Sequence, residues 1–156
     1  RMFTGDASGD LLVKILNKYG FANQPISVSK DDGLILFNCY LTASIRCAPP
    51  QNKPLNKEIE NCSEYLIREL KFLKPKFILL LGRVAYETFF KVFEKVYGYK
   101  PKKPKFSHGY IYKDEKSPYV IFSYHPSQRN RRTGRIKEED FELIFKKLKE
   151  LIDLSS

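Results

Sequence analysis

Apolar positions along the chain change period several times, and the changes mark elements. From Gly9 to Tyr19, Leu11, Leu12, Ile15, Leu16 and Tyr19 recur at helical spacing and form one apolar face. Ser8 is placed to cap this helix and Gly20 to stop it. Leu34–Phe37 and Tyr40–Ile45 read as strand material, separated by a bend at Asn38. A helix is predicted over Asn56–Lys74, with Ile59, Cys62, Leu66, Leu70 and Leu73 inward and Pro75 ending it. Phe77–Leu81, FILLL, is a continuous apolar run of the kind buried on both faces of a parallel sheet. Gly82 turns the chain into a helix over Arg83–Val96, with Val84, Ala85, Phe89, Val92, Phe93 and Val96 as its stripe. The basic segment YGYKPKKPKF that follows reads as a solvated loop. Tyr110–Tyr112 suits a short edge strand, and Tyr119–Tyr124 a buried strand ending at His125-Pro126. A last helix runs over Lys137–Leu151, buried through Phe141, Ile144, Phe145, Leu148 and Leu151.

This alternation predicts an α/β fold, a three-layer α/β/α sandwich around a mostly parallel four-stranded sheet. In such sheets ligands bind at the carboxyl ends of the strands. The loops RCAPPQN, LGR and HPSQRN all follow strands and are expected to gather there.

The length of 156 residues fits one domain, and 42% hydrophobic with 29% charged residues supports a true core. The apolar runs are too short to cross a bilayer, and no membrane partner is expected. No secretory signal is visible. A formal charge of +10 favours a polyanionic partner, nucleic acid first. The same Lys- and Ile-rich, Gln-poor composition also suits a heat-adapted surface. Three cysteines argue against a secreted disulfide framework and for an intracellular, cytoplasmic setting. The chain opens on Arg1 and runs at once into a Gly-containing loop, so an upstream segment is expected.

Three stretches carry candidate chemistry. In YHPSQRNRRTGR, His125 stands directly after a strand, Pro126 blocks extension of the ladder, and Arg129, Arg131, Arg132 and Arg135 follow. The chemistry is an imidazole beside a phosphate-gripping loop; the bland alternative is a satisfied strand-end histidine and a solvated turn. Pro126-Ser127 and Thr133-Gly134 frame the basic run and favour a loop held in shape. In MFTGDASGD, Asp6 precedes a helix N-terminus, where a carboxylate is favoured, or it simply caps that helix. In RCAPPQNKPLNKEIENC, Cys47 and Cys62 have 14 residues between them. Thiolates so placed can bind zinc or an iron–sulfur cluster, though Cys62 also shares its helix's apolar face. Cys39 reads as a buried structural thiol, and Asn52 as a turn residue.

Taken in order, RMFTGDASGD, YLTASIRCAPPQNKP, Cys62, FILLLGRVA and SYHPSQRNRRTGR resemble the family-five (type b) uracil-DNA glycosylases, iron–sulfur members of the uracil-DNA glycosylase superfamily. The resemblance runs across nearly the whole chain. It implies a DNA repair enzyme that flips a deaminated base out of DNA and hydrolyses its N-glycosidic bond. Phe3 matches the aromatic that stacks on the flipped base, Asp6 the acid that assists the attacking water, and Asn52 an Asn of catalysis or base recognition. His125 matches the His bonding the pyrimidine O2. Ser127, Arg129, Asn130, Arg131, Arg132 and Arg135 form the implied DNA-binding loop. Cys47 and Cys62 match two of the four cysteines of a structural four-iron four-sulfur (4Fe-4S) cluster, whose other two ligands lie outside this numbering. The family's first strand and Gly-Leu-Ala-Pro turn would likewise lie upstream, leaving 1–156 as one domain without its N-terminal segment. Ala43 stands where family-four enzymes carry a uracil-reading Asn, which fits a broader base tolerance reaching hypoxanthine and xanthine. A monomer acting on uracil-containing DNA, with a sliding clamp as candidate partner, completes the implied picture. A non-catalytic nucleic-acid-binding module of the same fold and an unrelated α/β domain with structural zinc are the competing readings.

Overall fold

A computed structural model of the chain describes residues 7–27, 32–42, 56–126, 132–134 and 136–155, with the backbone alone at 7–8 and 56–62. Its elements in chain order are α1 (Ala7–Lys18), α2 (Asn56–Leu73), β1 (Phe77–Leu81), α3 (Arg83–Tyr97), β2 (Ile111–Tyr112), β3 (Tyr119–Ser123) and α4 (Glu138–Ser155). The chain divides into two compact units, one of residues 1–42 with 123–156 and one of residues 43–122. No helix among the described residues is long and apolar enough to cross a membrane.

In the first unit α1 packs with α4. Leu11, Leu12, Ile15 and Leu16 are buried as the helical spacing requires, and Val13 is buried as well. The apolar arc is therefore wider than the predicted stripe. The helix begins at Ala7, so Ser8 lies inside its first turn rather than at the cap. Gly20, at φ 85°, ends it: Gly20 N–H bonds to Asn17 O (3.2 Å) and Phe21 N–H to Leu16 O (2.7 Å). This double bond around a left-handed residue satisfies carbonyls that the helix would leave open. Lys14 pairs with Glu138 (2.6 Å), and Lys18 pairs with Glu142. Tyr19 Oη also donates to Glu142 (3.3 Å).

Leu34–Phe37 does not form a strand. It makes one antiparallel bridge, Ala22 to Leu36, through Asn23 N–H to Ile35 O (3.0 Å) and Phe37 N–H to Phe21 O (2.9 Å). Asn38 then takes φ 53°, a left-handed turn that ends the pairing. The expected bend is real, but it closes a short ribbon instead of separating two strands. Tyr40–Thr42 is not a strand either, and 43–45 lies outside the described residues.

The second unit holds α2, α3, β1, β2 and all of β3 but its last residue. Helix α2 buries Leu66 and Leu70, as expected, while Leu73 at its end is exposed. Lys74 follows at φ 46°, outside the right-handed helical region that Pro75 disfavours for the residue before it. The sheet among the described residues has three strands in the order β1-β3-β2, not four. β2 and β3 are antiparallel, with Ile111 opposite Ile121 and Tyr112 opposite Val120. The α/β class holds with a smaller, partly antiparallel sheet. Because β1 is at one end of that order, only Leu80 of FILLL is fully buried.

Helix α3 supplies the aromatic core. Phe89 and Phe93 are buried as predicted, but Tyr86 and Phe90 join them, while Val84 is exposed. Phe90 meets Tyr112 edge-on (5.4 Å) and Phe122 edge-on (5.9 Å), and Tyr86 meets Phe122 (5.2 Å). Such edge-to-face pairs add to the burial itself.

A polar hub lies at the turn between β2 and β3. Asp114 accepts from Tyr99 Oη (2.6 Å), Tyr112 Oη (2.8 Å), Lys116 N–H (2.9 Å) and Ser117 N–H (2.7 Å). Ser117 Oγ accepts from Asp114 N–H in return (3.0 Å). Lys113 Nζ donates to the carbonyls of Asp114 and Ser117 (both 2.6 Å). Burial opposes ionisation of Asp114, yet these donors outweigh it and hold the carboxyl well below the usual carboxylate range.

Candidate active site

The best-defined candidate is the end of β3. Val120, Ile121, Phe122 and Ser123 are buried, so the strand is fixed in the core. Ser123 Oγ satisfies itself locally by donating to Tyr124 O (2.7 Å). His125 follows, half-buried, and Pro126 behind it is buried. Pro126 offers no N–H to continue a ladder, so the chain leaves the strand here. The imidazole is thus held at the carboxyl end of a strand, where ligands of α/β sheets bind.

The basic loop leaves from the same point. Its two ends are pinned, by buried Pro126 and by buried Ile136. Arg132 is exposed, and Thr133-Gly134 forms a turn. Gly134 takes φ 76°, which a side chain would strain. The frame expected around the arginines is present at this end. Ser127, Arg129, Asn130, Arg131 and Arg135 lie outside the described residues. Helix α4 starts just beyond, with Glu138, Glu139 and Asp140 in the first turn, where its dipole favours acids.

Phe3 and Asp6 also lie outside the described residues, but α1, which they precede, shares a compact unit with His125. The burial of Leu11, Leu12, Val13, Ile15 and Leu16 makes α1 a fixed platform for whatever its N-terminus presents. Asn52 and Cys47 are outside the described residues as well, and Cys62 sits on α2 one turn before Leu66.

The donor chemistry of a metal centre can be tested on the cysteines. Cys39 is half-buried and free, and burial pushes its thiol pKa up. It is therefore a protonated thiol, poorly suited to ligation. By donor chemistry Cys47 and Cys62 are soft thiolates of the kind that hold an iron–sulfur cluster; Cys47 and the side chain of Cys62 lie outside the described residues. Among the described residues no three His, Cys, Asp or Glu side chains gather as a metal site.

A model of the uracil DNA glycosylase superfamily matches residues 1–149. The chain belongs to this superfamily. A type-5 uracil-DNA glycosylase of Pyrobaculum aerophilum is 39% identical over 139 residues, covering 89% of this chain and 58% of the relative. A type-5 enzyme of Thermus thermophilus is 37% identical over 155 residues, covering 99% and 68%. A type-4 uracil-DNA glycosylase of Archaeoglobus fulgidus is 31% identical over 149 residues, covering 93% and 65%. The chain thus spans between about three-fifths and two-thirds of these superfamily relatives.

One contact was not legible in the sequence. Arg83, the last residue of the LGR turn and the first of α3, lies over the Phe106 ring at 5.0 Å. What the sequence does carry is the arginine itself, directly beyond the carboxyl end of a strand.

Proposed function

We propose that this chain is the core of a DNA glycosylase that hydrolyses the N-glycosidic bond of a uracil flipped out of DNA. The observation that carries this reading is His125, held at the end of β3 beside a basic loop pinned at both ends. It is supported by relatives named uracil-DNA glycosylases.

The target base lies inside the stack and has to be extruded, at a cost of roughly a few kcal/mol. Phosphate contacts from Arg129, Arg131, Arg132 and Arg135, with Ser127 and Asn130, offset that cost and carry little sequence information. Phe3 recovers some of the lost stacking, worth about 1–3 kcal/mol per base. Bond cleavage leaves negative charge on the departing uracil and positive charge on the sugar. A hydrogen-bond donor at the base and an anion near the sugar and water stabilise that separation. His125 donates to the base, a role a neutral imidazole can fill. Asp6 orients or deprotonates the water, and Asn52 holds the base or assists the attack. Hypoxanthine and xanthine are the finer part of the proposal, motivated by Ala43.

Cys47 and Cys62 would supply two thiolates to a 4Fe-4S cluster, which when bound acts as a crosslink tying the loop carrying Asn52 to α2. Hydrolysis of a glycosidic bond needs no electron transfer from it.

The test is single-turnover release of uracil from a duplex by the intact protein. His125→Ala should slow release by roughly 10²–10⁴-fold while DNA affinity changes little. Equal losses in rate and affinity contradict its role, and DNA binding without base release by the parent protein contradicts the enzyme.

A further inference from the structure

The segment from Tyr99 to Phe106, YKPKKPKF, is an ordered strap rather than a solvated loop. Tyr99 packs edge-on against Phe93 (5.2 Å) and bonds to Asp114. Pro104 O accepts from Tyr86 Oη (2.6 Å). Phe106 lies parallel to Phe122 (6.1 Å) and edge-on to Tyr86 (5.3 Å). Three anchored residues in eight, Tyr99, Pro104 and Phe106, hold the strap, and Pro101 and Pro104 stiffen it further.

The anchored residues turn toward the core, and lysines turn out between them. Lys100, Lys102 and Lys105 are exposed and make no ion pair with a carboxylate among the described residues. Lys103 alone is neutralised, by Glu87 at 2.6 Å. A merely solvating lysine run has no need of anchors at both ends and in its middle. Here the cost of ordering the chain is met by the core, so the charges are already in place for a partner.

The spacing suits a phosphate chain. An extended Pro-rich segment advances about 3.1 Å per residue, so Lys100 to Lys105 covers roughly 15 Å. Phosphates advance about 3.4 Å along the axis on each strand, so the strip faces about four or five of them. Arg83 lies over Phe106, at the strap's end, beside the carboxyl end of β1. The strap therefore starts from the sheet edge at which ligands bind and leads away from it.

We propose that Lys100, Lys102 and Lys105, with Arg83 at the head of the row, form a second track for the DNA backbone, separate from the arginine loop. This rests on the reading of the protein as a DNA enzyme. The track grips phosphates without reading bases, because an ammonium is a point charge with no directional pattern for base edges. Its role is to hold duplex flanking the extruded base.

The experiment is a salt titration of binding to a uracil-free duplex by the intact protein and by its Lys100→Gln, Lys102→Gln, Lys105→Gln variant. The log–log salt slope should fall in magnitude by about two to three, and affinity near 0.1 M salt should drop about tenfold or more. Lys146→Gln with Lys147→Gln on α4, an equally exposed pair, should leave the slope as it was. An unchanged slope in the strap variant, or an equal fall per charge in the α4 variant, overturns the proposal. A parent protein that excises uracil while its strap variant keeps the slope refutes the track alone. A parent whose slope depends on the strap but which releases no uracil leaves the track standing and refutes the glycosylase reading.

Discussion

In the unit of residues 43–122, rings pack on rings: Phe89 of α3 meets Phe90 and Phe93, Phe90 meets Tyr112 and Phe122 from the strands, and Phe93 meets Tyr112. In the unit of residues 1–42 and 123–156, the buried positions of α1 are aliphatic, and charged pairs join its outer side to α4. The two solutions have different consequences. Tyrosines buried in a ring core bring hydroxyls with them, and each needs a partner or costs stability. Asp114 answers for two of them, so the aromatic unit contains an ionised hub. The buried face of α1 brings no hydroxyl with it, and the ion pairs beside it stay at the surface, where pairs add little. The unit bearing the strap therefore carries a pH-sensitive hub at Asp114.

The comparison breaks first at the ring core. Phe93→Ala should lower the unfolding free energy by about 3–5 kcal/mol in urea denaturation, and Leu12→Ala in the other unit by about 2–5. A loss under about 1 kcal/mol at Phe93 would mean the rings are not closely packed.

Asp114→Asn should cost about 1–3 kcal/mol, since one acceptor becomes a donor facing hydroxyl or amide donors. The native carboxyl pKa is depressed below its unfolded value near 3.9. Its contribution is therefore complete above that value and is lost as pH falls through the native one. The gap between parent and variant should be constant near neutrality and shrink below about pH 4. A gap that widens in acid would refute the assigned charge.

Phenol titration gives a smaller and more selective signal. Burial, then the bond to Asp114, pushes Tyr112 up to about 12, and Tyr99 is raised for the same reasons. Burial alone pushes Tyr97 up to about 12. These raised values add stability that is complete below the unfolded pKa near 10 and is lost as pH rises through the native ones. Ultraviolet titration should find Tyr97, Tyr99 and Tyr112 ionising above the ordinary phenol value near 10. Ionisation of all three near that value in folded protein would contradict the hub.

The smallest effect is expected in the aliphatic unit. Glu138→Gln removes the partner of Lys14, both exposed, and the melting temperature should move by less than about 2 °C. A larger shift would show that the ion pairs hold α1 to α4 more firmly than exposed charges normally do.

The sequence by itself determined the helices and the two five-residue strands, because a period of 3.6 or an unbroken apolar run is a local property. It also placed His125 at a strand end, since Pro126 stops a ladder wherever it occurs. It carried the superfamily resemblance in its ordered motifs. It misjudged segments whose state depends on distant partners. Leu34–Phe37 has strand composition but among the described residues pairs only with Ala22, and a ladder needs a neighbour that no local pattern supplies. Tyr86 and Phe90 fell outside a narrow helical stripe, yet α3 is covered over a wider arc. Asp114 carries no local signal, because its role comes from the hydroxyls of Tyr99, 15 residues away, and Tyr112. The strap read as solvent-exposed because Lys and Pro dominate its composition. Only the tertiary structure shows that its two aromatic ends and its backbone are bound to the core, leaving the lysines ordered and outward.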